Sequence, residues 1–398
     1  MSNFELLESD NLRAKIRVIG VGGGGGNAVN NMIMSGMEGV DFVVVNTDSQ
    51  DLNRSMAPRR FQLGAELTKG LGAGAKPEVG REAALEDRER LAEMVQGCDM
   101  VFIAAGMGGG TGTGAAPVIA QVAKEMGALT VAVVTRPFQF EANARRRRAE
   151  EGIENLRQCV DTLITIPNQR LVSMANEKTT LKEAFQMADR VLYQAVKGVS
   201  DLINFQGLVN VDFADVRTIM QDKGIALMGV GQAAGDDRMM KAASLAVNSP
   251  LLDEVSLSGA TSVLVNITSS SSVTMHEISE ASTMISEEAA EDANVIWGWV
   301  IDEDMDNEVR VTVIATGFEE QWLDGKRARG RGISGVGPGI GGGRAPAPPR
   351  GSGSPVSGGG HSQGPRTGGN RGTNPGGFGR DNYDVRPVQG SSFFKPKR

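Results

Sequence analysis

The sequence predicts an α/β fold: a Rossmann-like domain with a parallel sheet, a long central helix, a second smaller α/β domain and a disordered C-terminal tail. Three observations indicate this fold. In the first half, strands of almost continuous apolar residues alternate with helical segments. One long stretch in the middle carries apolar residues every three or four positions. After Trp322 the composition changes to glycine, proline, serine and arginine, which cannot build a core.

Size and composition favour two folded units plus a tail. The chain has 398 residues, of which 40% are hydrophobic, enough for two domain cores. Its two cysteines, Cys98 and Cys159, are too few for a disulfide framework, and no CxxC pairs with histidines as in a zinc site. No basic leader precedes an apolar core, and no eighteen consecutive residues are apolar. We therefore expect a cytoplasmic protein with no membrane span and no metal held by protein side chains alone.

Charge is distributed unevenly along the chain. Its net charge is -7, but residues 319–398 hold thirteen Lys/Arg against five Asp/Glu, a balance of +8, which leaves -15 for the remainder. Because an acidic body repels nucleic acid at long range, nucleic-acid binding is not expected there. Weak binding of RNA, DNA or anionic lipid is left to the basic tail.

The first domain, predicted over residues 15–178 after a flexible segment 1–14, opens as a βαβ unit. KIRVIGV reads as a strand, a glycine-rich turn and a helix follow, and DFVVVNTD is the second strand. Further segments continue the alternation: helix 78–96, strand 99–105, helix 115–125, strand 129–135, helix 141–158 and strand 161–166.

The central helix is predicted over residues 179–203, with Thr179 or Thr180 as its N-cap. The second domain, residues 204–318, combines strands and helices: strands 225–233, 261–268, 294–301 and 308–317, and helices 237–247 and 275–289. Residues 319–380 read as a disordered linker. The final segment, 381–398, has the composition of a short partner-docking peptide, with a frayed terminus as the alternative.

Two glycine-rich turns each follow a strand and precede a helix, an arrangement that lets backbone N–H groups approach a phosphate. The first, residues 20–27 (GVGGGGGN), also satisfies GxGxxG, with Asp48 closing the next strand. Alone, this turn fits an NAD-dependent oxidoreductase equally well. The second, residues 106–114 (GMGGGTGTG), has six glycines, two threonines and no lysine, so it is not a Walker A loop. Both turns should open at the carboxyl edge of the sheet.

The GGGTGTG run within the second turn resembles the signature of the tubulin/FtsZ GTPase family, in particular its bacterial cell-division members. The resemblance covers residues 15–318 and rests on ordered motifs: NTDSQ (46–50), GAGAKPEVG (72–80), VVTRPF (133–138) and NVDFADVRTIM (210–220). It implies that GTP or GDP is bound with Mg²⁺. By position, the phosphates would be wrapped by backbone of the two turns, at Gly23, Gly24, Gly25, Gly26, Asn27, Gly110, Thr111 and Gly112.

The same resemblance assigns contacts to the sugar and the base. Glu141 and Arg145 would reach the ribose and phosphates, although from their spacing alone they also fit a surface ion pair. Asp189 would accept hydrogen bonds from guanine N1–H and its exocyclic amine, a donor pair that adenine lacks. Phe185, one helical turn earlier, would stack on the base, with an ordinary core position as the alternative.

Catalysis is expected to depend on carboxylates, since the chain has only His276 and His361 and no Ser/His/Asp or Cys/His arrangement. The candidates are Asn210, Asp212 and Asp215; if the segment is helical, the two aspartates share a face. From the residues alone, a capping pair at the start of a helix is the favoured interpretation. The resemblance instead implies that this loop completes the active site on the neighbouring subunit's GTP.

As a whole, the resemblance implies a GTPase that polymerises head to tail and forms the cytokinetic ring at midcell, beneath the inner membrane. Division and membrane-adaptor proteins would bind the C-terminal tail. The tail departs from the family's usual Pro-x-Phe-Leu-Arg type of peptide, so its adaptor stays open. Two alternatives remain: an NAD-dependent oxidoreductase, which has no need of the second turn, and a nucleotide-dependent scaffold without catalysis.

Overall fold

The computed structural model describes residues 14–318 except 177, 206, 208, 210 and 253–256. Four predictions therefore lie wholly or almost wholly outside the described residues: the N-terminal segment 1–14, the linker 319–380, the docking peptide 381–398 and the role of Asn210.

Ten strands form one hydrogen-bonded sheet in the order β3-β2-β1-β4-β5-β6-β7-β10-β8-β9. Their bounds are β1 Ile16–Val21, β2 Asp41–Asn46, β3 Arg59–Gln62, β4 Met100–Gly106, β5 Leu129–Arg136, β6 Thr162–Pro167, β7 Gly224–Ala234, β8 Ser262–Ser269, β9 Asn294–Ile301 and β10 Glu308–Thr316. Strands β1 to β6 pair in parallel, as the apolar strand pattern predicts. Strand β10 runs antiparallel between β7 and β8.

Twelve α-helices lie in the described part of the chain. Their bounds are α1 Gly22–Met34, α2 Ser49–Arg54, α3 Ala65–Thr68, α4 Pro77–Glu86, α5 Arg88–Val95, α6 Thr111–Glu125, α7 Asn143–Arg157, α8 Asn168–Met174, α9 Leu181–Asn204, α10 Phe213–Met220, α11 Arg238–Val247 and α12 Met275–Glu288. Within these residues, no helix combines the length and the apolar character needed to cross a lipid bilayer.

The first half of the sheet is buried on both faces. Since side chains alternate along each strand, neighbouring residues belong to different hydrophobic clusters. Val18 and Phe102 belong to a cluster shared with α1 and α9, whereas Ile19 and Ile103 belong to a second cluster with α4, α5, α6 and α7. A third cluster packs α11 and α12 on strands β7, β8 and β10. Burial on both faces is the reason that these strands read as continuous apolar runs.

The long helix α9 confirms the predicted central helix. Thr180 caps it: the Thr180 N–H donates to Glu183 Oε2 at 2.7 Å, and the Glu183 N–H donates to Thr180 Oγ1 at 3.3 Å. At about 1.5 Å per residue, its 24 residues span roughly 36 Å. At this length the helix can extend from the carboxyl ends of the strands to their amino ends.

Several predicted elements differ from the structure. The predicted helix 78–96 is two helices, interrupted at Asp87, whose carboxylate accepts the Gly64 N–H at 2.8 Å and pairs with Arg90 at 2.6 Å. The predicted helix 115–125 begins four residues earlier, at Thr111. Strand β3 and helix α8 were not predicted.

The two predicted domains share one sheet, since β6 pairs in parallel with β7 from Thr162↔Gly224 to Ile164↔Ala226. The predicted boundaries at 178 and 203 stay predictions, because sheet pairing alone does not divide the chain there.

Candidate functional site

The two glycine-rich turns lie side by side at the carboxyl edge of the sheet. Strands β1 and β4 are paired neighbours, with Val21 opposite Ala105. After β1 the chain enters α1 directly at Gly22, and the second turn leads into α6 at Thr111. The predicted first loop is thus mostly the first turn of a helix. Two helix N-termini, each with free backbone N–H groups, face the edge at which parallel sheets bind ligands.

Close backbone approach explains why glycine is needed in these turns. Gly22 has φ +69°, and a Cβ there would lie 2.9 Å from the Gly112 nitrogen. A Cβ on Gly112 would lie 2.7 Å from the Gly106 carbonyl oxygen. Since no side chain fits between them, the two turns present backbone to any ligand.

Threonine hydroxyls hold the second turn in place. The hydroxyl oxygens of Thr111 and Thr47 are 2.6 Å apart, which ties α6 to the end of β2. Thr113 Oγ1 accepts the Gly108 N–H at 2.8 Å and closes the turn on itself. The segment 72–80 packs against the same turn, since a Cβ on Gly80 would lie 2.5 Å from the Gly110 carbonyl oxygen. These contacts give the turn a single backbone shape before any ligand binds.

Asp48, the residue that a dinucleotide enzyme would use on the ribose, has a local structural role. Its Oδ1 accepts the Gln50 N–H at 2.8 Å and the Asp51 N–H at 3.3 Å, so it is the N-cap of α2. The cap accounts for an acidic residue at the end of β2 without a ribose partner.

Glu141 and Arg145 form the ion pair that their spacing allows, with 3.2 Å between Glu141 Oε2 and Arg145 Nε. Glu141 lies in a short 3₁₀ turn, Gln139–Glu141, where its Oε1 accepts the Phe138 N–H at 2.8 Å. Arg145 borders the second turn, because a Cβ on Gly108 would lie 2.7 Å from Arg145 Cγ. The pair is thus an i,i+4 ion pair, and its Arg145 also lies beside the second glycine turn.

Phe185 and Asp189 lie in the first half of α9. The Phe185 ring is 40% exposed and meets the rings of Phe138 and Phe140 edge-on, at centroid distances of 5.4 and 6.3 Å. Both partners lie within four residues of the carboxyl end of β5. Burial raises the pKa of Asp189 to about 6. A half-buried carboxylate next to a partly open aromatic ring can bind a flat base with two adjacent N–H donors.

Sequence reasoning missed Asn168, the first residue of α8. It directly follows β6 at the same sheet edge and is 4% exposed. Its Oδ1 is buried and has no hydrogen-bond partner among the described residues. Because a buried amide oxygen normally has a partner, a ligand donor is a reasonable complement. A polar residue at the end of an apolar strand was the signal that could have identified it.

Asp212 and Asp215 lie at the other end of α9. The two aspartates would share a helical face only if the segment were helical, and Asp212 instead has extended backbone and precedes α10 as its N-cap. Its Oδ1 accepts the Asp215 N–H at 2.9 Å. The capping interpretation is therefore confirmed. Both side chains remain exposed, so the cap leaves carboxylate oxygens open to a second molecule.

Helix α9 separates the two groups of residues. Its first half contacts Phe138, at the carboxyl edge of the sheet, whereas Asn204 at its end donates from Nδ2 to the Gly39 carbonyl oxygen at 2.8 Å, just before β2 begins. Asp189 and Asn204 are fifteen residues apart, a rise of roughly 22 Å. Within one molecule the acidic pair cannot reach a phosphate at the glycine turns.

Among the described residues, no group of three or more His, Cys, Asp or Glu side chains is arranged to hold a metal ion. An acidic side chain beside the first turn is Asp51, whose Oδ2 would lie 3.2 Å from a Cβ on Gly23. A carboxylate oxygen at this position is of the kind that Mg²⁺ binds.

Comparison with known families agrees with this geometry. Residues 15–176 match the GTPase domain of the tubulin/FtsZ family, and residues 224–319 match the C-terminal domain of the FtsZ family. The first match contains both glycine turns, and the second contains strands β7 to β10.

Solved structures show the same relationship. An empty FtsZ dimer from M. jannaschii is 44% identical, with a TM-score of 0.74, over 78% of this chain and 93% of that one. A single-substitution mutant of FtsZ from M. jannaschii is 45% identical, with a TM-score of 0.74, over 78% and 92%. CetZ2 from Haloferax volcanii, solved as a GTPγS-bound protofilament, shares the fold at 20% identity and a TM-score of 0.68, over 80% and 97%.

These matches confirm the α/β fold class and the family resemblance drawn from the two glycine turns. They do not assign roles to individual side chains, which stay predictions. The chain belongs to the FtsZ family of the tubulin/FtsZ GTPases, whose GTPase domain binds guanine nucleotide.

Proposed function

We propose that this protein polymerises head to tail and hydrolyses GTP at each subunit interface. The observation that carries the proposal is the separation along α9: the glycine turns lie at one edge of the sheet and Asp212 and Asp215 at the other. Because neither half of the site can complete itself in one molecule, stacking the acidic end of one subunit on the nucleotide end of the next is the simplest way to join them. Such a heterologous contact generates an open filament.

In the nucleotide half, the backbone of residues 23–27 and 110–112 binds the phosphates. The Glu141–Arg145 pair contacts ribose and phosphate, Asp189 selects guanine, and Phe185 stacks on it. Asn168 adds, at the same edge, an amide oxygen that can accept a hydrogen bond from the nucleotide. Mg²⁺ would be carried by the phosphates, with Asp51 beside the first turn, and would neutralise the charge that develops during transfer.

In the catalytic half, Asp212 and Asp215 orient the attacking water in line with the γ-phosphate of the neighbouring subunit. Asn210, which lies outside the described residues, completes this group. Since Asp212 Oδ1 is engaged in capping α10, its second oxygen is available for the water. Hydrolysis then weakens the contact between subunits, and the subunits dissociate from the filament.

In the cell, these filaments form the cytokinetic ring at midcell, in the cytoplasm beneath the inner membrane, and recruit other division proteins. Two M. jannaschii relatives, more than 40% identical, belong to the FtsZ family, and one was solved as a dimer. Membrane adaptors would bind residues 381–398, which lie outside the described part of the chain. Nucleic-acid binding is limited to weak, salt-sensitive contact with the basic tail.

The test is phosphate release measured with light scattering over a series of protein concentrations with GTP and Mg²⁺. A shared site requires turnover per molecule to rise above a threshold concentration, together with scattering. Turnover that stays constant down to isolated monomers would contradict the proposal. Filaments that form with GTP but never release phosphate would support the alternative of a non-catalytic scaffold.

A further inference from the structure

The loop that leads to Asp212 rests on the outer edge of strand β9. We use "α9–α10 loop" for residues 205, 207, 209 and 211, the described residues between α9 and Asp212. In the sheet order β9 is the last strand, and its outward-facing Trp299 N–H donates to the Val209 carbonyl oxygen at 3.2 Å. Val209 and Trp299 form an isolated antiparallel bridge. This hydrogen bond attaches the middle of the loop to the sheet.

Two further loop residues contact the same short stretch of β9. A Cβ on Gly207 would overlap the Trp299 carbonyl oxygen and lie 2.9 Å from its carbonyl carbon. Val211 is 5% exposed, and its Cγ2 would lie 3.1 Å from a Cβ on Gly298. Alternate residues of the loop, 207, 209 and 211, are thus held by β9, and the next residue is Asp212.

Strand β9 is a firm support for this loop. It pairs with β8 over its full length, from Asn294 to Ile301. The Trp299 indole Nε1–H also donates to Ser269 Oγ at 2.8 Å, which fixes the ring against the neighbouring strand. The position of the loop is therefore set by how closely its backbone approaches β9.

We infer that Gly207 is a positioning residue for Asp212, and this inference rests on the proposed function. The overlapping atom is a backbone carbonyl oxygen, which cannot rotate away as a side chain can. Any side chain at position 207 must therefore move the loop off β9, and Asp212 moves with it. A displacement of about 1 Å at a catalytic group can cost on the order of 100-fold in rate.

The experiment compares Gly207→Ala with Gly231→Ala in the full-length protein. Gly231, in β7, is a matched control: a Cβ there would overlap the Ala242 carbonyl oxygen and lie 2.6 Å from the Ala246 nitrogen, but it faces α11 and not the α9–α10 loop. We expect Gly207→Ala to lower phosphate release per polymerised subunit by at least about tenfold, with GTP affinity unchanged. Gly231→Ala should keep the wild-type turnover per polymerised subunit.

Hydrogen exchange gives a readout that general destabilisation would not reproduce. In Gly207→Ala the Trp299 amide should exchange faster, because its acceptor on Val209 has moved, while amides of β9 that bond to β8 stay protected. Wild-type turnover with an unchanged Trp299 exchange rate would overturn the inference. Equal loss of turnover in Gly231→Ala would also overturn it.

If Gly207→Ala does not fold, Gly298→Ala tests the contact of the same loop with β9 at Val211. Its Cβ would overlap Leu202 Cδ2, the end of a side chain that can rearrange, and would lie 3.1 Å from Val211 Cγ2. A smaller loss of turnover at constant GTP affinity is expected, and no loss would contradict the inference. Asp212→Asn distinguishes failure of the proposed function from failure of this inference. If Asp212→Asn keeps full turnover, the catalytic role of Asp212 is wrong. If Asp212→Asn is inactive while Gly207→Ala has normal turnover, only the positioning role of Gly207 is wrong.

Discussion

Guanine nucleotide affinity should fall as the pH drops below 6, because the nucleotide needs the ionised form of Asp189. Burial raises the pKa of this carboxyl to about 6. An ionised carboxylate accepts both guanine N–H donors, whereas the protonated form loses part of this capacity. The ionised fraction is roughly 0.9 at pH 7 and roughly 0.1 at pH 5 when the pKa is about 6, so affinity should fall about tenfold, or about 1.4 kcal/mol.

The direction of this pH dependence follows from the linkage between proton binding and folding. The pKa of Asp189 in the folded protein lies above the ordinary value of 3.8, so the nucleotide-free protein holds this proton between about pH 4 and pH 6, where the unfolded chain does not. The stabilising contribution of this group is therefore complete below about pH 4 and is lost as the pH rises through 6. Nucleotide binding must displace the same proton, which is why binding weakens below about pH 6.

The assay is equilibrium titration with a fluorescent guanine nucleotide at several pH values, below the polymerisation threshold. Since a phosphate group also titrates, with a second pKa of about 6, the wild type alone is not decisive. Asp189→Asn is the control. It binds the same nucleotide, whose phosphate titrates in the same way, but it has no titrating carboxyl at position 189. Its nucleotide affinity should therefore depend less steeply on pH. Equal slopes in the two proteins would refute the assignment of Asp189 to the base.

Substitutions at three positions test other parts of the site. Asp212→Asn should keep both the N-cap of α10 and GTP binding yet lose turnover, whereas Asp212→Ala should also lose about 1 kcal/mol of stability; urea unfolding with phosphate release separates these effects. Gly112→Ala should lower nucleotide affinity by at least about tenfold, because its Cβ would meet the Gly106 carbonyl oxygen in the phosphate-binding backbone; calorimetry measures this, and unchanged affinity would contradict the site. Asn168→Ala should weaken nucleotide binding without destabilising the nucleotide-free protein, since its amide oxygen has no partner among the described residues; a lower melting temperature without nucleotide would indicate a purely structural role.

The strands and the long helix were predictable because their signals are local. Apart from Arg17, residues 16–21 and 100–106 are apolar on both faces, as in strands of a sheet that is covered on both sides, and α9 shows its apolar spacing and its cap in the sequence itself. Asp87 shows the limit of such signals. It interrupts a helical stretch because its carboxylate binds the Gly64 N–H, a residue 23 positions away that no local pattern reveals.

The sequence by itself determined the fold class, the two glycine turns and the family, since each depends on residue types in a short, ordered pattern. The packed structure was needed to show that Asp48 caps a helix, that Asn168 is a buried side chain at the carboxyl edge of the sheet, and that Gly207 lies against β9. It also placed Asp212 roughly a helix length away from the turns. The physical reason is that these roles depend on distances between segments far apart in the chain, and those distances exist only once the sheet and α9 have packed.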